Sequence, residues 1–148
     1  MAEMIYVYTD GGSRGNPGPA GCGVVIQKCI DGKCATIGEY HRYIGETTNN
    51  QAEYQALLLA LDELSKLNPT QKVLFHLDSR LVVEQIKGTY KMKNAGLKPL
   101  FDRVKQQLDT FHGGYQFEYI PRERNAHADR LANKAMDEGM RSTNEQVL

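Results

Sequence analysis

No segment of the 148-residue chain is apolar for long enough to cross a membrane, and the run in MIYVYTD is too short for a secretory h-region. A cytoplasmic protein with no membrane partner is expected. Cysteine is scarce. Cys22, Cys29 and Cys34 are odd in number and lack CxxC spacing, which suits a reducing compartment and argues against structural zinc. Cys29 and Cys34 flank a turn where oxidation could join them, and no function is assigned to the three. Net charge is missing too: 18 Lys and Arg balance 18 Asp and Glu, so any affinity for nucleic acid has to come from local patches. Tryptophan is absent altogether. With 41% apolar and 24% charged residues, disordered and fibrous classes are excluded, and the length suits one domain with a single sizeable core.

Read in order, MIYVYTD at Met4 to Asp10 is apolar on both faces, as a central strand is, and it ends in a carboxylate. GGSRGNPGPAG follows, too rich in Gly and Pro for regular structure, with small residues that would let a backbone or a phosphate come close. A second strand over Cys22 to Cys29 turns at Asp31-Gly32 into a third, about Lys33 to Ile44. A helix over about Asn50 to Leu67 precedes a fourth strand, Lys72 to Leu77, which ends in Asp78. A short helix then stops at Gly88, and a basic connector leads to a longer helix from Leu97 to Phe111. Tyr115 to Ile120 is the fifth strand, and Asn125 reads as the N-cap of a last helix, with a frayed polar tail after Gly139.

Four acids stand at the junctions of these elements: Asp10, Glu53, Asp78 and Asp129. Glu53 lies on the helical stripe of Leu57, Ala60, Leu61, Leu64 and Leu67, which points its carboxylate toward the core. It can also be read as the end of a capping box with Asn50, while Thr48 and Gln51 offer a second register of that device. Asp78 can be an N-cap, and Asp129 can be a charge at a helix dipole. Jointly the four say more. Acids this far apart in sequence meet only in the fold, and such a cluster repels itself unless hard cations hold it. Oxygen-only ligation fits Mg²⁺ or Mn²⁺ better than zinc.

The segments YTDGGSRGNPGPAGCG, TTNNQAEYQALLLAL, LDSR and NAHADRLAN together resemble the type 1 ribonuclease H family, over about Met4 to Met140. The resemblance implies an α/β ribonuclease H-like fold, a five-stranded mixed sheet of order 3-2-1-4-5 with helices on both faces. One domain is expected over residues 1–140, with a tail over 141–148. The implied activity is endonucleolytic hydrolysis of the RNA strand of RNA–DNA hybrids without sequence specificity. Two Mg²⁺ ions, with Mn²⁺ as a substitute, would be held by Asp10, Glu53, Asp78 and Asp129, and products would carry 5′-phosphates and 3′-hydroxyls. Substrate-binding positions carried by the matching motifs are Gly11, Gly12, Asn16, Thr48, Asn49, Asn50, Ser79 and Arg80. The amides of Asn16, Asn49 and Asn50 would meet sugar edges, where the 2′-hydroxyl distinguishes RNA from DNA. A monomer is expected, with double-stranded RNA left open as a second substrate.

The chain also departs from the family pattern. Members with a basic protrusion carry an inserted helix rich in Lys and Trp, whereas TYKMKNAGLKP replaces it here. The stretch from Lys87 to Lys105 still holds six basic residues against the single acid Asp102, a candidate hybrid-binding patch. Arg80 stands where many members have Gln. The loop from Pro121 to Arg124 lacks the family's mobile His, which leaves Arg122 as an electrostatic aid to product departure, with His127 as the weaker candidate. A non-catalytic module that binds hybrids or double-stranded RNA is the alternative from a different class.

Overall fold

The computed structural model describes residues 2–147, with side chains to residue 142. The apolar runs resolve into strands β1 (Glu3–Ser13), β2 (Gly18–Ile30), β3 (Lys33–Thr47), β4 (Lys72–Leu77) and β5 (Tyr115–Tyr119). Helices α1 (Asn49–Leu67), α2 (Arg80–Lys87), α3 (Lys98–Leu108) and α4 (Ala126–Val147) separate or follow them, with a 3-10 turn at Arg122–Arg124. The sheet order is β3-β2-β1-β4-β5, as expected. β1, β2 and β3 form an antiparallel meander, while β4 and β5 join β1 in parallel. The parallel part is fed by helical crossovers, the only short route between strands that run the same way.

Helices cover both faces. Ile5, Val7, Val24, Ile26, Val73 and Phe75 share one core with the α1 leucines, Val104 and Leu108. α1 is buried from Ala52 through Leu61 on nearly every side, because the sheet lies under it and α3 packs against it. Its end is set by Asn68, which takes the left-handed conformation (φ 47°) and donates its N–H to the Leu64 carbonyl. α4 lies on the opposite face, against β2 and β3. Among the described residues no helix is long and apolar enough to cross a membrane.

The glycine-rich run is not the irregular loop expected from its composition. Gly11, Gly12 and Ser13 extend β1 and pair with Cys22, Gly21 and Ala20, so only Arg14 to Pro17 form the turn. Glycine serves close packing here. A Cβ on Gly11 would stand 2.1 Å from the Ala52 carbonyl oxygen of α1, and one on Gly23 would stand 2.1 Å from the Ala128 carbonyl oxygen of α4. The two glycines let helices on opposite faces sit directly on the sheet.

Other boundaries moved as well. β3 runs on to Thr47, and α3 ends at Leu108, although Phe111 still packs against the core. α4 continues through Gly139 to Val147, so residues 141–147 are helical and not the frayed tail expected. Met1 and Leu148, the outer ends of the two expected spans, lie outside the described residues. Cys29 and Cys34, partners across the β2–β3 ladder, are joined by a disulfide, and Cys22 is free and buried.

Candidate active site

The parallel register builds the floor of the site. Thr9 of β1 pairs with Leu77 of β4, so the next residues lie side by side: Asp78 where β4 ends, and Asp10 within β1, which continues to Ser13 and was not the strand end expected there. α1 crosses above them. Its N-cap is Thr48, whose Oγ1 accepts from the Gln51 N–H at 3.2 Å, so α1 starts in the second register and not at Asn50, with the Gln51 side chain turned to the Gly96 carbonyl. Glu53 is thereby released from capping and buried on the sheet side, where Gly11 allows the helix down to contact distance. Asp78 does not cap either: Ser79 Oγ accepts from the Val82 N–H and starts α2.

One carboxylate oxygen from each of Asp10, Glu53 and Asp78 lies within 4.8 Å of the others. Burial, and then the charge of Asp78, pushes the Asp10 carboxyl up to about 8. Glu53 is raised well above the usual range by burial and by the charges of Asp10 and Asp78. Asp78 is raised too, chiefly by burial, against the opposing hydrogen bond from the Asn125 amide. Glu53 Oε2 is buried with no hydrogen-bond partner. An all-oxygen set that is crowded, self-repelling and partly unpartnered is what a hard divalent cation neutralises, so these residues fit Mg²⁺ or Mn²⁺. Asp129 completes the wall, close enough to Asp10 to help raise that carboxyl.

The acids open into a cleft of about 570 Å³ that Gly11, Gly12, Asn49, Asn50, Ser79 and Arg122 also line. Asn16 and Thr48 line a smaller recess beside it, with Asn94 and Leu97 of the connector, and Asn50 borders both. Two amides have structural work to do. Asn49 Oδ1 accepts from Ser13 N–H at 2.9 Å, and Asn16 Oδ1 accepts from Asn49 N–H at 2.9 Å, which ties the start of α1 to the β1–β2 turn. Arg80 does not line the cleft; its guanidinium lies 4.2 Å from the ring centre of Tyr119, which does. His127 points elsewhere, pairing through Nε2 with Glu39 on β3, and it lines a rear cavity with Tyr8 and Gln27.

Sequence reasoning missed Arg14, Tyr119, Asn133 and Asn125. Asn133 was within reach, since it follows Asp129 by four residues on one helix face and its Nδ2 donates to the Asp129 carbonyl. Arg14 carried no local signal; it bridges from the turn to Asp137 and Asn133 on α4.

The family described as reverse transcriptase-like matches residues 8–135. A protein of Methylococcus capsulatus named ribonuclease H is 35% identical over 151 residues, an alignment that takes in 93% of this chain and 92% of that protein. The chain belongs to the ribonuclease H family. Among solved structures, the crystal structure of LC11-RNase H1 in complex with RNA/DNA hybrid superposes with a TM-score of 0.85 at 44% identity, covering 92% of this chain and 99% of that one. The bifunctional protein Rv2228c of Mycobacterium tuberculosis is 41% identical over 138 residues, and the chain spans 37% of its length. In this chain the segment between α2 and α3 is a short connector without a helix, in keeping with a family form that lacks the basic protrusion.

Proposed function

We propose that the chain is an endonuclease that hydrolyses the RNA strand of RNA–DNA hybrids with two divalent cations, leaving 5′-phosphate and 3′-hydroxyl ends. The observation that carries this is the convergence of Asp10, Glu53 and Asp78 around an unpartnered buried oxygen at the floor of an open cleft. When bound, the cations supply the positive charge that lowers the pKa of the attacking water and stabilises the leaving 3′ oxygen. Asp10 is central to the cluster and faces both halves of it. Glu53 and Asp78 close one side, and Asp129 supports the other. Asn49 and Asn50 stand exposed at the rim, where amides meet ribose edges and read helix shape in preference to sequence. Arg122 is an exposed cation on the cleft wall, suited to hold a cleaved phosphate without exchanging protons near neutral pH. His127, turned toward Glu39, is not assigned that role.

The hybrid would continue from the cleft along the recess at Thr48 and Asn94 to the basic connector. The patch is smaller than its composition implies. Lys98 pairs with Asp102 at 2.5 Å and Lys105 donates to the Ile86 carbonyl, whereas Lys87, Lys91, Lys93 and Arg103 are exposed with no ion-pair partner among the described residues. Replacing Lys91 and Lys93 with Ala is expected to raise KM more than it lowers kcat, and to flatten the log–log salt dependence of binding by about one to two units. Equal slopes for variant and parent would make the patch an ordinary solvated surface.

The activity itself is tested by incubating the chain with labelled RNA–DNA hybrid, duplex DNA and duplex RNA, each with and without Mg²⁺. Cleavage confined to the RNA strand of the hybrid and dependent on Mg²⁺ is expected. Hybrid binding without any cleavage in Mg²⁺ or Mn²⁺ would refute the proposal in favour of a binding module.

A further inference from the structure

Asn125 reads from sequence as a helix cap, yet its side chain caps nothing. It is 1% exposed and reaches back toward the sheet. Its Nδ2 donates to the Thr9 carbonyl at 2.8 Å and to Asp78 Oδ2 at 3.2 Å. Its main-chain carbonyl accepts from the Asp129 N–H at 3.0 Å, and its own N–H donates to the Arg122 carbonyl at 2.9 Å. One residue thus touches the strand that carries Asp10, the carboxylate of Asp78, the first turn beneath Asp129 and the turn that carries Arg122.

From this connectivity we propose that Asn125 is a positioning residue, which anchors one oxygen of Asp78 and ties it to Asp129, so that both carboxylates present a preset geometry to the cations. The inference rests on the metal-dependent function proposed above. Its physical basis is that carboxylates that ligate metals are oriented by hydrogen bonds from behind, and removal of such partners typically costs about 10- to 100-fold in metal affinity or activity.

The chemistry of the amide singles out asparagine. Both Nδ2 protons have acceptors, Thr9 O and Asp78 Oδ2, so a flipped amide would set oxygen against two oxygens. Aspartate would add a charge beside Asp78 and lose both donors. Asn125 Oδ1 is buried with no partner, a penalty that an aliphatic residue with a mere packing role would avoid. The side chain is therefore retained for what Nδ2 holds.

The test uses the full chain with Asn125→Ala and, as a variant gentler on packing, Asn125→Ser. For both, kcat on hybrid is expected to fall about 10- to 100-fold with KM within about twofold, and the Mg²⁺ dissociation constant measured calorimetrically without substrate is expected to rise about tenfold or more. Variants that melt earlier yet keep wild-type kcat and Mg²⁺ affinity within twofold would reduce Asn125 to a structural residue and overturn the proposal. The calorimetry does not depend on cleavage. A wild type that cut nothing but bound Mg²⁺ tenfold more tightly than Asn125→Ala would sink the nuclease reading and leave the positioning role standing. Should neither variant fold, the side-chain NH₂ resonances of Asn125 in wild type decide: a shift on Mg²⁺ titration supports the role, and unmoved resonances overturn it.

Discussion

Asp10→Asn is expected to remove Mg²⁺-dependent cleavage, by upwards of about 10³-fold, while raising the melting temperature of the metal-free protein. Both effects come from one carboxylate. Asp10 is buried against Glu53, Asp78 and Asp129, and its carboxyl titrates near 8 in the fold against 3.8 as an ordinary aspartate. Between those values the folded state holds a proton that the unfolded chain has released, so the contribution of Asp10 to metal-free stability is full below about pH 4 and is lost as the pH rises through about 8. Asparagine keeps the shape and cannot ionise, so that slope should flatten. At pH 8 a gain of about 1–3 kcal/mol corresponds to about 3–10 °C. Mg²⁺ should stabilise wild type by binding only the native state, and should stabilise Asp10→Asn much less. Thermal melts of both proteins at pH 5 and pH 8, with and without millimolar Mg²⁺, check this together with hybrid cleavage. A variant that cuts near the wild-type rate would dismantle the assignment of the four acids.

Gly11→Ala is expected to destabilise the fold by about 3–5 kcal/mol, or roughly 10–15 °C, and to abolish activity in whatever remains folded. The added methyl would lie 2.1 Å from the Ala52 oxygen, 2.3 Å from its carbon and 2.6 Å from the Glu53 nitrogen. All three are backbone atoms of α1, so no side chain can swing aside. Relief requires lifting the helix, and the helix carries Glu53. Gly12→Ala is the control for stability, because nothing lies within 4 Å of a Cβ there. Equal melting temperatures for the two variants would show that close approach is not what position 11 requires.

The two substitutions bracket what was legible in the chain. The stripe from Leu57 to Leu64 placed Glu53 on an inward face, and the apolar run that ends at Asp78 set that acid at a strand end, whereas Asp10, expected to end its strand, lies inside β1, which runs on to Ser13. Such features need only periodicity and turn chemistry, which are written within a few residues. The strand order came from motif resemblance, since no local pattern says which strand lies beside which, while the expectation that the four acids act jointly came from their charge and was sharpened by that resemblance. Composition misled at the glycine-rich run, because glycine permits a loop and a tight helix contact equally well. Only the neighbour decides between them, and here it is the Ala52 carbonyl.

The remaining differences share that cause. Thr48 and Asn50 were equal as caps until the extension of β3 to Thr47 set where α1 begins. Asn125 looked like a cap because Asn often is one, but the parallel register of β1 with β4 put two acceptors, Thr9 O and Asp78, within reach of its amide. Arg122 was favoured over His127 from sequence because the histidine stands on the last helix, and in the structure His127 pairs with Glu39 of β3 while Arg122 lines the cleft. The sequence by itself determined where most of the strands and helices lie and that Glu53 faces inward and Asp78 follows a strand, because those follow from interactions along the chain. Which atom each side chain meets was decided by the tertiary structure, because strand register and helix approach bring together groups that lie as many as 126 residues apart.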